Sequence, residues 1–262
     1  MKIVVCVKQV PASNNVRFDP VTHNLVRSGM SGRMNPFDEN AVEAALALRD
    51  AIGGEVILLS MGPNDTKETL HDGLAMGADQ AILLSSRAFA GSDTLATGYI
   101  LAQAIRNIGN VDLTIFGRQA VDADTGQVGP IVAEELNVLQ ATFVSKLKAL
   151  DKQHLSVTRN LDSEVQSVTL TLPAVISVWS ELNQPRYETP IHIQQSLTKP
   201  LITWTDQDLD LDQQRIGQAG SPTVVRKVYA PEATSRAAKR LPDDATAAAR
   251  VVLALMAERG LR

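Results

Sequence analysis

Leu113-Thr114-Ile115-Phe116-Gly117-Arg118-Gln119-Ala120-Val121-Asp122-Ala123-Asp124-Thr125-Gly126-Gln127-Val128-Gly129-Pro130 is the stretch on which the fold turns. Its first four residues are a short apolar run closed by glycine, the pattern of a buried strand. A polar loop follows, and the segment then leads into a helix. At such a helix start the unpaired backbone N–H groups and the dipole favour an anion. Thr125 and Gln127 can donate to phosphate oxygens, and Gly126 and Gly129 let a ligand approach the backbone. Asp122 and Asp124 would repel a phosphate, so they are expected to cap the helix or to meet ribose hydroxyls. Neither a Gly-Lys-Ser/Thr loop nor a Gly-x-Gly-x-x-Gly fingerprint occurs. From these residues alone two readings stand, a nucleotide site and an ordinary capped helix start.

Working outward, the same unit repeats. Ile3–Val7, Val56–Leu59 and Ala81–Leu84 are further short apolar runs that read as buried strands. Between them lie helical patterns: one from Pro36 with Ala41, Ala44, Ala45 and Leu48 in phase, one ending near Met76, and one from Asp93 through Ile108. Gly53-Gly54 and Gly77-Ala78-Asp79 punctuate them. This cadence predicts an α/β fold, a doubly wound, mostly parallel sheet of Rossmann-like topology. Ligands of such sheets bind at the strand C-termini, which singles out the loops after Val7, Met61, Leu84 and Phe116.

The second half changes character. Thr142–Ala149, His154–Asn160 and Val165–Leu172 alternate apolar and polar residues, predicting an antiparallel insertion of half-exposed strands. Pro173–Trp179 returns to a buried strand. Beyond Pro200 the periodicity fades, and only Ala245–Glu258 is clearly helical. The chain therefore reads as a nucleotide-binding domain over 1–199 and a C-terminal arm over 200–262. That arm has so little core of its own that it either packs on a partner subunit or is disordered.

Composition removes several classes. The net charge of -4 and pI near 5.6 argue against nucleic acid as the main partner. Aromatic residues are 4% of the chain, too few for base-stacking platforms. His23, His71, His154 and His192 lack second ligands at metal-site spacing. The single cysteine, Cys6, rules out an internal disulfide and lies in a strand, where such thiols are inert packing. The opening apolar run is too short for a signal peptide, and no stretch nears the roughly 18 apolar residues of a membrane span. A cytoplasmic protein without membrane insertion is expected.

A second candidate site is Ser92-Asp93-Thr94-Leu95-Ala96-Thr97 at the head of a helix. Ser92 or Asp93 reads as an N-cap. Alternatively, Asp93, Thr94 and Thr97 with the helix N–H groups form a second phosphate cradle. Two starts on one sheet edge would grip the two phosphates of a dinucleotide.

Val5-Cys6-Val7-Lys8-Gln9-Val10-Pro11, Asn35-Pro36-Phe37-Asp38, Ala75-Met76-Gly77-Ala78-Asp79, the Gly117–Gly129 stretch and Asn183-Gln184-Pro185-Arg186-Tyr187 together resemble electron-transfer flavoprotein β subunits. The resemblance is collinear from Met1 to about Lys199. It implies a heterodimer with an FAD-carrying α subunit that moves electrons between an acyl-CoA or other dehydrogenase and further acceptors. The positions matching the family's nucleotide site are Cys6, Asn35, Pro36, Phe37, Asp38, Met61 and the run from Gly117 through Arg118, Gln119, Ala120, Val121, Asp122, Asp124, Thr125, Gly126 and Gln127 to Val128. Housekeeping members hold structural AMP there, whereas electron-bifurcating members hold a second FAD that takes hydride from NADH. The 92–97 and 124–130 segments resemble the bifurcating type, so FAD is expected, with AMP as the alternative. A non-redox AMP-sensing module of similar architecture is the rival from another class. Arg118 is either the cation that approaches the flavin ring or a surface arginine. The family's docking loop carries a leucine anchor and a lysine-rich run; here 188–199 has one lysine, with Pro190 at the leucine position. Ile191, Ile193 or Leu197 would have to carry that contact.

Overall fold

The computed structural model describes residues 1–12, 32–224 and 240–261. The strands and helices alternate as β1 (Lys2–Cys6), β2 (Gln9–Pro11), β3 (Gly32–Met34), α1 (Pro36–Ile52), β4 (Glu55–Met61), α2 (Thr66–Met76), β5 (Gln80–Leu84), α3 (Thr94–Ile108), β6 (Leu113–Gly117) and α4 (Val128–Leu136). Then come β7 (Leu139–Ala149), β8 (His154–Asn160), β9 (Val165–Thr171), β10 (Ala174–Val178), α5 (Pro190–Ser196), β11 (Leu201–Trp204) and α6 (Ala245–Glu258).

The main sheet has the order β11-β5-β4-β1-β6-β10-β7-β8-β9, parallel from β11 through to the β10–β7 pair. Alternate residues of each strand feed opposite cores, because side chains leave a strand on alternating faces. Ile3, Val5 and Val7 join Leu58, Leu83 and Ile115 under α1 and α2. Val4 and Cys6 join Ile57, Leu59 and Ile82 under α3 and α4. The sheet is therefore doubly wound. From β1 the chain steps out to β4 and β5, then returns to place β6 on the other side of β1. The topological switch point lies between β1 and β6, the position at which sheets of this kind open a ligand crevice.

The expected antiparallel insertion is present as β7, β8 and β9, and β7 carries a second pairing besides. Its first half pairs parallel with β10 and its second half antiparallel with β8, with register shifts on both sides of the handover. Phe143 takes a left-handed backbone there (φ 59°), a conformation uncommon for a bulky residue outside turns and bulges. The compact unit that holds the sheet runs from Met1 to Arg226. Leu201–Trp204 adds an edge strand to β5, and Leu209 and Ile216 are buried in the α3–α4 core. Sequence periodicity misses this segment because a four-residue, half-exposed edge strand has no repeating pattern to detect.

The remaining unit runs from Lys227 to the C-terminus. Its helix α6 is capped by Asp244, whose carboxylate accepts the Ala247 N–H at 2.8 Å. Val252, Leu253 and Met256 on α6 are exposed. Among the described residues, no helix is long and apolar enough to cross a membrane.

Candidate functional site

The crevice at the switch point is built by the start of α1. Asn35 precedes the helix and Pro36 opens it, and proline fits there because the first helical N–H has no intrahelical partner. Asp38, on the first turn and 6% exposed, turns inward. Its Oδ2 accepts the Lys8 N–H at 2.8 Å and its Oδ1 accepts the Gly117 N–H at 3.1 Å. One carboxylate thus joins the ends of β1 and β6. The approach leaves no room for a side chain at 117: a Cβ there would sit 2.2 Å from Asp38 Oδ1 and 2.7 Å from the Phe37 carbonyl carbon. Asn35 completes the join, its Nδ2 donating to Gln119 O at 2.8 Å and its Oδ1 accepting the Val121 N–H at 3.1 Å. Lys8 Nζ pairs with Asp122 at 2.7 Å across the outside of the loop.

These bonds hold the loop 117–127 in place before α4. Asp122 is consumed by Lys8, and Asp124, in a left-handed backbone, accepts from Gln119 Nε2. Neither caps the helix. Gln127 occupies the N-cap position of α4 without a side-chain cap bond. The start of α4 is therefore open, with Thr125 and Gln127 exposed beside it and Gly129 buried against Phe116.

The start of α3 is closed. Asp93 Oδ1 accepts the Leu95 and Ala96 N–H groups at 3.0 and 3.1 Å, while Oδ2 accepts the Thr223 N–H and Oγ1–H at 3.1 and 2.7 Å. Burial by itself would raise this carboxyl, but the Thr223 hydroxyl and the Ala96, Thr223 and Leu95 amides outweigh it and hold Asp93 below the usual carboxylate range. Ser221 adds a hydroxyl that accepts the Asp93 N–H at 2.8 Å. Asp93 is thus an N-cap and an anchor for residues 221–223, and Thr97 continues the first turn through its N–H to Asp93 O.

The two starts meet. Thr94 Oγ1 donates to Gln127 Oε1 at 3.0 Å. Close crossing of the helices permits this, since a Cβ on Gly98 would lie 2.4 Å from Ile131 Cγ2. Arg118 leaves the loop in the other direction. Its guanidinium carbon sits 3.8 Å from the Trp179 ring centre and 5.2 Å from that of Phe143. Its Nε is buried with no hydrogen-bond partner among the described residues. Such stacking on aromatic faces suits a planar, weakly hydrated guanidinium.

Of the sequence-predicted positions, Asn35, Pro36, Phe37, Asp38 and the whole 117–128 run come together at the crevice. Cys6 lies at the end of β1, buried, its thiol pushed up by burial and then by the Asp38 charge. Met61 ends β4, one strand further from the switch point. Sequence reasoning missed Lys8, Trp179, Phe143 and Thr223. Lys8 carried a usable signal, being the first charged residue after β1. Thr223 carried none.

A parallel sheet with a built crevice at its switch point fits the motifs that suggested a nucleotide-binding chain, and comparison with known proteins assigns the family. The family described as electron transfer flavoprotein domain matches residues 22–209. The chain belongs to the electron-transfer flavoprotein family. It is 43% identical over 227 residues to an electron transfer flavoprotein subunit beta of Clostridium acetobutylicum, covering 87% of both chains. It is 41% identical over 261 residues to the protein FixA of Azorhizobium caulinodans, covering 97% of this chain and 93% of that one. It is also 42% identical over 234 residues to the caffeyl-CoA reductase-Etf complex subunit CarD of Acetobacterium woodii, covering 89% of each. Electron transfer is the work this family membership assigns.

Proposed function

We propose that this chain is the β subunit of an electron-transfer flavoprotein heterodimer and binds FAD at the β1/β6 crevice. The observation that carries the reading is the open start of α4 beside the pinned 117–127 loop. Free N–H groups, Thr125, Gln127 and Gly126 suit a phosphate, and Thr94, bonded to Gln127, puts a second hydroxyl within reach of a diphosphate. The carboxylate of Asp93 on the α3 start would repel an anion, so Thr94 and Gln127, rather than a second open helix, would hold the second phosphate. The charge of Arg118 favours electron-rich partners near its aromatic stack. FAD bound there supplies two-electron exchange with NADH and one-electron transfer onward. The chain's own residues hold it, orient it and exclude water.

The carrier docks its redox partner, a dehydrogenase, through the exposed Ile191, Ile193 and Leu197 of 188–199. The C-terminal unit grips the α subunit. Truncation after residue 226 is expected to leave the sheet folded and abolish co-purification with the α subunit; retained co-purification would remove the arm from the interface. Flavin counting decides the cofactor. Two FADs per heterodimer, with bleaching by NADH under anaerobic conditions, support the bifurcating reading. One flavin, one AMP and no response to NADH would leave the AMP-holding carrier as the better reading.

A further inference from the structure

We propose that Asp38 is a positioning residue rather than a ligand contact: its ionised carboxylate ties the ends of β1 and β6 together, which makes occupancy of the crevice proton-linked. This rests on the nucleotide reading above. Both oxygens already accept backbone N–H groups, from residues 30 and 79 positions away. Each oxygen thus spends an acceptor site on a strand-end amide. The carboxylate sets the gap between the two strand ends and, through Gly117, the path of 117–127 towards α4. Asn35 repeats the device one turn earlier, but its amide does not titrate.

The proton linkage follows from what protonation does to this geometry. An ionised carboxylate offers acceptors to both amides. Protonated, one oxygen becomes a donor facing an N–H, so the Lys8 or the Gly117 amide loses its partner. The groups facing Asp38 set where this occurs. The thiol of Cys6 lies beside it on β1, and the ammonium of Lys8 is shared with Asp122. Gly117 brings no side chain, Arg118 turns away to Trp179, and Glu39 on the same helix faces Arg33 and Asp72. Burial raises the Asp38 carboxyl to about 7, against the Asn35 side chain, the Lys8 and Gly117 amides and the Lys8 charge, which pull it down.

Two quantities then run in opposite directions with pH. Because the folded value lies above the unfolded one of 3.8, the folded chain gains by holding the proton, and this contribution to stability is lost as pH rises through about 7. Nucleotide binding needs the ionised form, so affinity rises over the same interval. A residue with a merely structural role would move both quantities together.

The test uses the ligand-free full chain, with FAD as the titrated probe because its diphosphate does not change ionisation between pH 6 and 8. Backbone hydrogen exchange of the peptides containing Lys8 and Gly117 is followed in parallel, as protection factors corrected for intrinsic rates. Expected are about tenfold weaker FAD binding at pH 6 than at pH 8, lower protection of the Lys8 or the Gly117 amide at pH 6, and a flat, weak profile in Asp38→Asn. Wild-type profiles alone suffice should that variant fail to fold. Protection and affinity that do not change with pH in the wild type overturn the proposal. Protection that falls at pH 6 in a chain that binds neither FAD nor AMP at either pH keeps the strand tie and overturns the nucleotide reading with its linkage.

Discussion

The starts of α3 and α4 stand side by side on the same sheet edge, joined by the Thr94–Gln127 bond, and they solve the same problem in opposite ways. Each helix begins with N–H groups that lack intrahelical partners. At α3 the chain supplies its own anion: Asp93 caps two amides and still holds Thr223. At α4 the two candidate carboxylates are drawn off, Asp122 to Lys8 and Asp124 to Gln119, and the start stays open. A helix start can receive an anion only when neighbouring acids are occupied elsewhere. Here Lys8 and Gln119 occupy them, not a special motif at the helix itself.

The comparison can be broken most severely at its hinge. Gly117→Ala puts a methyl against the Asp38 carboxylate and the Phe37 backbone, and is expected to cost about 3 kcal/mol, as overpacking against backbone does. Denaturant unfolding measures it, and nucleotide content should fall with it. A loss below about 0.5 kcal/mol, the range of a neutral surface change, would mean that the β6–α1 approach is not needed.

Removing the closed start comes next. Asp93→Ala loses a cap and the tie to 221–223, at about 1–2 kcal/mol in thermal unfolding. Nucleotide content is expected to hold, because Asp93 does not face an open cradle. Since its carboxyl is depressed when folded, the stabilisation it provides is present above the unfolded value of 3.8 and is lost as pH falls further, through the folded value. The stability gap between the wild type and Asp93→Asn should therefore narrow only in that acid range. A gap that closes near neutrality would assign it to another group.

The finest test makes the two starts alike. Gln127→Asp places a carboxylate at the N-cap of α4, where it should stabilise the helix by up to about 1 kcal/mol. The same charge should repel a phosphate and lower nucleotide content several-fold. A variant that is both steadier and fully loaded would show that the anion sits elsewhere on the edge.

How much of this was legible depends on the distance over which each choice is made. β1, β4, β5, β6 and β10 were readable because each is a short apolar run buried on both faces. The Asp93 cap was readable because its partners lie two and three residues away. Thr223 was not, standing 130 residues from the oxygen it bonds. The parallel pairing of β7 with β10 and the left-handed Phe143 escaped for a similar reason: β10 and β8, not the local pattern, dictate where the bulge falls.

By itself, then, the order of apolar runs and helix signals determined a doubly wound α/β sheet, and five short collinear motifs carried the family resemblance, because hydrophobic periodicity and short motifs are local properties of the chain. Only the tertiary structure decided that Asp38 is spent on two strand ends, that Asp93 also holds Thr223 while the start of α4 stays open, and that 201–224 belongs to the main unit. A carboxylate can cap, pair or bind with the same side chain, and which it does depends on the donors that folding brings within about 3 Å of it.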